Sequence, residues 1–246
     1  MNPKTPLAAL LFEGLTVAAR HPDLAVGLSR LGRYGEPVHL GTEILIEGFP
    51  RSGNSFAVAA FCKAQKREVD IAHHLHAPGH VIAAVRSNVP ALVVIRHPDE
   101  AVLEFASSKP NIPVAAILRG YIRFYQPLRP FKHGFVTATF EQVHADLGAV
   151  IRRVNERFWT AFLEFVPNQG SVRAAHRDVE RDYRRRQGSA PAILGASARQ
   201  PATEREEAAD RARRTYQHPA LAARRARART LYDEFAAEER SSSPAT

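Results

Sequence analysis

Glu43-Ile44-Leu45-Ile46-Glu47-Gly48-Phe49-Pro50-Arg51-Ser52-Gly53-Asn54-Ser55-Phe56 reads as a buried strand, a tight turn and the first turn of a helix. A β-branched apolar run ends at Gly48, Pro50 and Gly53, and Asn54-Ser55 then open an apolar segment of helical period. Such a turn makes an anion seat, because amides with no partner inside the helix converge where the helix dipole is positive. Arg51 adds a charge, and Ser52, Asn54 and Ser55 add short donors. An ordinary strand-turn-helix connection, punctuated by the same residues, is the alternative reading.

A nucleoside triphosphatase loop needs GxxxxGK[ST], and Gly48 to Ser55 has neither that spacing nor the lysine. The other segments follow the same logic. Glu68 to Ile71 fits a second strand, followed by Ala72-His73-His74-Leu75-His76-Ala77-Pro78. Three histidines in four residues allow a metal site, a solvated loop whose rings cap backbone, or a general base, since imidazole titrates near neutral pH. Ala91-Leu92-Val93-Val94-Ile95 is a fully apolar strand that delivers Arg96-His97-Pro98-Asp99-Glu100 to its carboxyl end, where parallel sheets bind ligands. Pro98 at a first helical position starts a helix that reaches about Ser108. Residues 113–128 fit a packing helix in which Tyr121 and Tyr125 are also available to wall a pocket, and residues 134–140 fit a strand before a helix over 143–158.

Taken together, residues 43–165 resemble the sulfotransferases that use 3′-phosphoadenosine 5′-phosphosulfate (PAPS). Pro50-Arg51-Ser52-Gly53-Asn54-Ser55 is similar to their Pro-Lys/Arg-Ser-Gly-Thr-Thr loop for the 5′-phosphosulfate. His74-Leu75 resembles the His-Leu pair that carries the general base, with His73 and His76 as rivals and Ala72 in place of the family's lysine. Arg96-x-Pro98 resembles the 3′-phosphate segment. Glu104 stands where that family has a serine; Ser107 or Ser108, on the same helical face, is available to supply the hydroxyl, the alternative being a changed cofactor preference. Phe140-Glu141 is similar to the element whose aromatic ring stacks on adenine. The resemblance implies a three-layer α/β, P-loop-like parallel sheet flanked by helices. It also implies sulfuryl transfer from PAPS, without a metal, to a hydroxyl or amine of a small-molecule or carbohydrate acceptor. The catalytic pair would be His74 and Arg51. A nucleotide-binding or interaction protein on the same fold, impaired in transfer, is the alternative.

Composition sets the outer bounds. The chain has 246 residues, 45% of them hydrophobic, enough for a full core. No apolar run approaches the roughly 18 residues of a membrane span, so a soluble, cytoplasmic protein is expected. Cys62 falls on the expected apolar face of its helix and reads as a buried structural thiol. The net charge of +9 suits an anionic ligand, but the basic residues lack the aromatic platforms of a nucleic-acid module, and no nucleic-acid partner is expected.

Four regions follow: a helical segment over 1–40, with helices at 6–20 and 23–30; the α/β core over 41–170; a basic helical extension over 171–240; and a disordered tail over 241–246. Residues 171–246 carry 16 arginines against 11 acids. Arg184-Arg185-Arg186-Gln187-Gly188 reads either as a weak counterpart of the family's late basic loop or as a solvated arginine run, and residues 188–201 as a loop. The Arg/Glu helices suit a lid or a homodimer contact.

Overall fold

The computed structural model describes residues 4–24, 27, 35–186 and 202–241. Strands β1 (Ile44–Gly48), β2 (Ile71–His73), β3 (Ala91–Ile95) and β4 (Val136–Thr139) form one parallel sheet in the order β2-β1-β3-β4. The helices are α1 (Lys4–Ala18), α2 (Asn54–Ala64), α3 (Pro78–Arg86), α4 (Pro98–Ser108), α5 (Val114–Tyr125), α6 (Phe140–Phe158), α7 (Gln169–Arg186), α8 (Ala202–Gln217) and α9 (Ala222–Ser241).

The sheet is apolar on both faces, as a parallel sheet must be. Leu45, Val93 and Ile95 join one cluster with side chains of α1, α3, α4, α5, α8 and α9. Ile44, Ile46, Leu92, Val94 and Val136 join the other, with α2, α6 and α7. This is the three-layer α/β arrangement expected from the sequence. Constant crossover handedness accounts for the division of helices. The chain moves one way from β1 to β2 through α2 and the opposite way from β2 to β3 through α3, so the two helices lie on opposite faces. That reversal opens a crevice between the carboxyl ends of β1 and β3.

Some boundaries differ from the sequence reading. Strand β2 begins at Ile71 and not Glu68, because Ile71 and Ala72 are the buried positions while Glu68 and Asp70 face solvent. His73 is therefore a strand residue. Helix α6 starts at Phe140, three residues early, because Thr139 and Gln142 form a reciprocal capping box. Helix α5 stops at Tyr125, and a 3₁₀ segment, Gln126–Gly134, follows because it carries Pro127 and Pro130. Cys62 is exposed and not buried, since the packed face of α2 is formed by Phe56, Ala57, Ala60 and Phe61. Residues 28–30, 188–201 and 242–246 lie outside the described residues, while Ser241 ends α9.

The basic C-terminal third is not peripheral. Its sparse apolar residues are the buried ones: Ala212, Tyr216, Leu221, Ala228, Leu231 and Phe235 belong to the same cluster as Leu45 and Val93. Phe235 meets Tyr125 and stacks on Phe135, and Asp99 at the start of α4 receives Tyr216 Oη at 2.6 Å and the Arg229 guanidinium. Phe235→Ala is expected to lower the unfolding free energy by about 3–5 kcal/mol, the cost of emptying a core aromatic site. Urea denaturation followed by circular dichroism measures it, and a change under about 1 kcal/mol would separate α9 from the core.

Candidate functional site

The crevice between β1 and β3 is the place where a doubly wound sheet receives ligands. The loop after β1 enters it with Arg51 at φ 69° and Gly53 at φ 99°, and α2 begins one residue later with no side-chain cap on its first turn. Only the second of these residues takes a left-handed conformation cheaply, so Arg51 is held there by its surroundings. Gly48 is required by close approach, because a Cβ there would stand 2.3 Å from the Val94 carbonyl and 2.6 Å from Asn54 Oδ1.

Buried hydrogen bonds pin this loop. Tyr125 Oη donates to the Val94 carbonyl at 2.9 Å and accepts from the Phe49 amide and the Ser52 hydroxyl at 3.3 Å each, which uses its one proton and both lone pairs. Burial, countered in part by the Ser52 and Phe49 hydrogen bonds, pushes the Tyr125 hydroxyl well above its usual pKa, so it stays a neutral donor. Asn54 Nδ2 donates to the Gly48 carbonyl at 2.9 Å, while Asn54 Oδ1 is buried without a hydrogen-bond partner. Pro50 and Ser52 are buried beneath the loop, and Ser55 is exposed.

Arg96, at the end of β3, reaches across the crevice. Its Nη1 donates to the Arg51 carbonyl at 3.2 Å, and its guanidinium lies 4.1 Å from the centre of the Phe140 ring. It also pairs with exposed Glu100, an ion pair that contributes little in water. Phe140 stacks on His144 at 4.0 Å, and His144 stacks in turn on Phe56 of α2. Three of the elements singled out in the sequence, at residues 50–55, 96 and 140, thus meet in one place.

The histidine segment borders the same loop. His74 Nε2 lies 2.9 Å from Ser55 Oγ, and its Nδ1 lies 2.6 Å from His73 Nδ1, so one proton bridges the two rings and the orientation of the Ser55 hydroxyl follows it. His76 Nδ1 donates to the Gly48 carbonyl at 2.8 Å, which places its proton on that nitrogen. His74 and His76 both have left-handed backbones, at φ 61° and 50°. Among the described residues no group of three or more His, Cys, Asp or Glu is placed to hold a metal ion. Ala72, which precedes the histidines, is buried in the core cluster.

A cleft of about 430 Å³ opens beside His73, His74 and Ser55, walled by α2 and by Asp178, Val179 and Asp182 of α7. Glu104 faces solvent, while Ser107 and Ser108 donate their hydroxyl protons back to the Glu104 and Phe105 carbonyls, leaving each oxygen as an acceptor. Arg184 is a helical residue paired with Glu180.

Lys109, just beyond Ser108, was not legible as a site residue. It is only 5% exposed, and burial, with the Arg51 guanidinium in electrostatic reach, pulls its ammonium down to about pKa 8 from 10.5. Glu47 was missed as well, although one charged residue inside an otherwise apolar strand is itself a signal; Tyr125, read as a packing residue or a pocket wall, instead pins the loop.

No family model and no curated protein matches the chain. Among solved structures, the mouse sulfotransferase SULT7A1 complexed with PAP is similar to it, with a TM-score of 0.40 and 11% identity over 88% of this chain and 90% of that one.

Between pH 8 and 10.5 the native Lys109 binds fewer protons than the unfolded one, so its contribution to stability improves as pH rises through that window and is least favourable below it. Lys109→Met is therefore expected to be more stable than the parent near pH 7, with the difference shrinking toward pH 10.5. Paired chemical denaturation across this range measures it, and a pH-independent difference would contradict the assignment.

Proposed function

We propose that this protein transfers a sulfuryl group from PAPS to a hydroxyl or amine of an acceptor bound in the cleft between α2 and α7. The observation that carries the reading is the Arg96–Arg51 contact, which sets two guanidinium-bearing residues from the ends of neighbouring strands side by side. The loop amides at 53–56 and Arg51 would receive the 5′-phosphosulfate, with Pro50, Ser52, Asn54 and Ser55 shaping the seat. Transfer of this kind depends on in-line placement and on neutralising charge that spreads over the transferred oxygens. Arg51 would supply that neutralisation at the bridging oxygen.

Arg96 would turn from Glu100 and the Arg51 carbonyl to the 3′-phosphate. A dianion in the crevice competes well with an exposed carboxylate and a neutral carbonyl, because charge-assisted pairs with phosphate are the stronger contacts. The guanidinium now over Phe140 would then give way to adenine. Ser107 and Ser108 would contact the same phosphate by turning their hydroxyl protons away from the Glu104 and Phe105 carbonyls. His74 would take the acceptor proton at Nε2, the nitrogen now bonded to Ser55, and pass the imbalance to His73 through the shared proton.

Calorimetric titration with adenosine 3′,5′-bisphosphate and with adenosine 5′-phosphosulfate tests the nucleotide. The bisphosphate should bind at least tenfold more tightly, and Arg96→Ala should remove that preference. Equal affinities in the parent protein would overturn the 3′-phosphate assignment. In radiolabelled transfer assays across alcohols and amines, His74→Ala should reduce turnover by about 10²–10⁴-fold, the usual contribution of a general base. Its bisphosphate affinity should stay within about twofold. Undiminished turnover would move the base to another histidine.

A further inference from the structure

Glu47 is the one charged residue of β1, and it is fully buried. Among the described residues its carboxylate faces neither a lysine nor an arginine. Oε1 accepts from the Leu75 amide at 2.5 Å, the His76 amide at 3.2 Å and His80 Nδ1 at 3.3 Å, while Oε2 accepts from the Gly48 amide at 3.1 Å and the His76 amide at 3.2 Å. His80 is fixed in the tautomer that donates, because its Nε2 accepts the Val38 amide at 2.9 Å. Burial favours the neutral acid, but the His80 hydrogen bond, the adjacent His76 and His80 rings and the Gly48 amide outweigh it and hold the carboxyl below its usual pKa.

We infer that Glu47 is a positioning residue, whose carboxylate holds the His74–His76 segment against the loop after β1. The inference rests on the proposed function for its catalytic meaning, though the contacts themselves do not. A buried carboxylate is costly unless fully hydrogen-bonded, and three of the five hydrogen bonds these oxygens accept come from the turn from 74 to 76. Two of the three amides they take belong to Leu75 and His76, between and on the left-handed histidines, so the carboxylate offsets a conformation that non-glycine residues avoid. The same carboxylate takes the Gly48 amide, and the Gly48 carbonyl takes His76 Nδ1. One residue of β1 thereby sets the distance between the anion seat and the imidazoles.

Glu47→Gln is the discriminating variant. Every partner of the carboxylate is a donor, so the amide group of glutamine opposes a donor in either orientation, while size and packing are retained. Hydrogen exchange read by NMR should show Leu75 and His76 losing protection in the variant while Ile46 and Val93 keep theirs. Turnover should fall on the order of 100-fold, the effect of misplacing a reacting group by about an ångström, with bisphosphate affinity within about twofold. Retained protection at Leu75 and His76 together with parental turnover would overturn the inference. Should the variant not fold, the parent protein decides: the Leu75 and His76 amides must exchange as slowly as strand amides, and exchange at open-loop rates refutes the role. If neither protein transfers a sulfuryl group, the exchange result still tests Glu47 while the proposed function alone fails.

Discussion

The loop after β1 is held by the hydroxyl of Tyr125, and most of the crevice depends on that contact. A turn carrying a left-handed arginine does not keep its shape through its own backbone preferences. Tyr125 supplies the constraint from a neighbouring helix by tying the Phe49 amide and Ser52 to the Val94 carbonyl. It thereby fixes the mouth between β1 and β3 to within hydrogen-bond tolerance. Tyr121, one helical turn earlier, donates to the Arg96 carbonyl at 2.9 Å and holds the other rim. Two tyrosines on one face of α5 thus set the width of the site, while the ring of Phe235 in α9 packs behind Tyr125. The C-terminal helices in this way bear on the geometry of a loop more than 150 residues before them in sequence.

Electrostatics follow from that geometry. Arg51 and Arg96 meet at the crevice with Lys109 in electrostatic reach of Arg51, while Glu100, paired with Arg96, and Glu104 are exposed. Burial, and after it the Arg51 charge, disfavour the Lys109 ammonium and lower its pKa. An anion between them reverses the sign of the interaction. Glu47 is the complementary case, since its charge is directed away from the seat and toward the histidine segment by amides that admit only an acceptor. Positive charge therefore gathers at the loop while the negative carboxylate stays beneath it.

The sheet was legible because its signals are local. Ala91 to Ile95 is apolar at every position and coincides with the strand, and Pro98 marks the helix start. The loop was legible for a related reason, since Gly48 and Gly53 occupy positions where a Cβ would strike Val94 or crowd Phe140. The pinning groups were not, because their meaning lies in contacts at long sequence separation. Tyr125 meets Phe49 across 76 residues and Glu47 meets Leu75 across 28, and no period or spacing encodes such pairs. Cys62 was misread for a simpler reason. It lies one residue past Phe61, and a helix turns 100° in that step, enough to move a thiol from core to solvent.

The histidine segment joins these threads. Its backbone is strained at two positions, its amides are held by a buried carboxylate, and its rings reach the carbonyl that ends β1 and the hydroxyl that begins α2. A solvated capping loop would not need a fully desolvated acid beneath it, because water would satisfy the same amides at no electrostatic cost. Retaining Glu47 in the centre of an apolar sheet is therefore hard to explain by stability alone, since an apolar residue there would pack between β2 and β3 without the desolvation penalty. What the carboxylate adds is a fixed distance between the loop after β1 and a set of imidazoles. That anchoring, and not packing, accounts for a charged residue in a strand that is buried at every position.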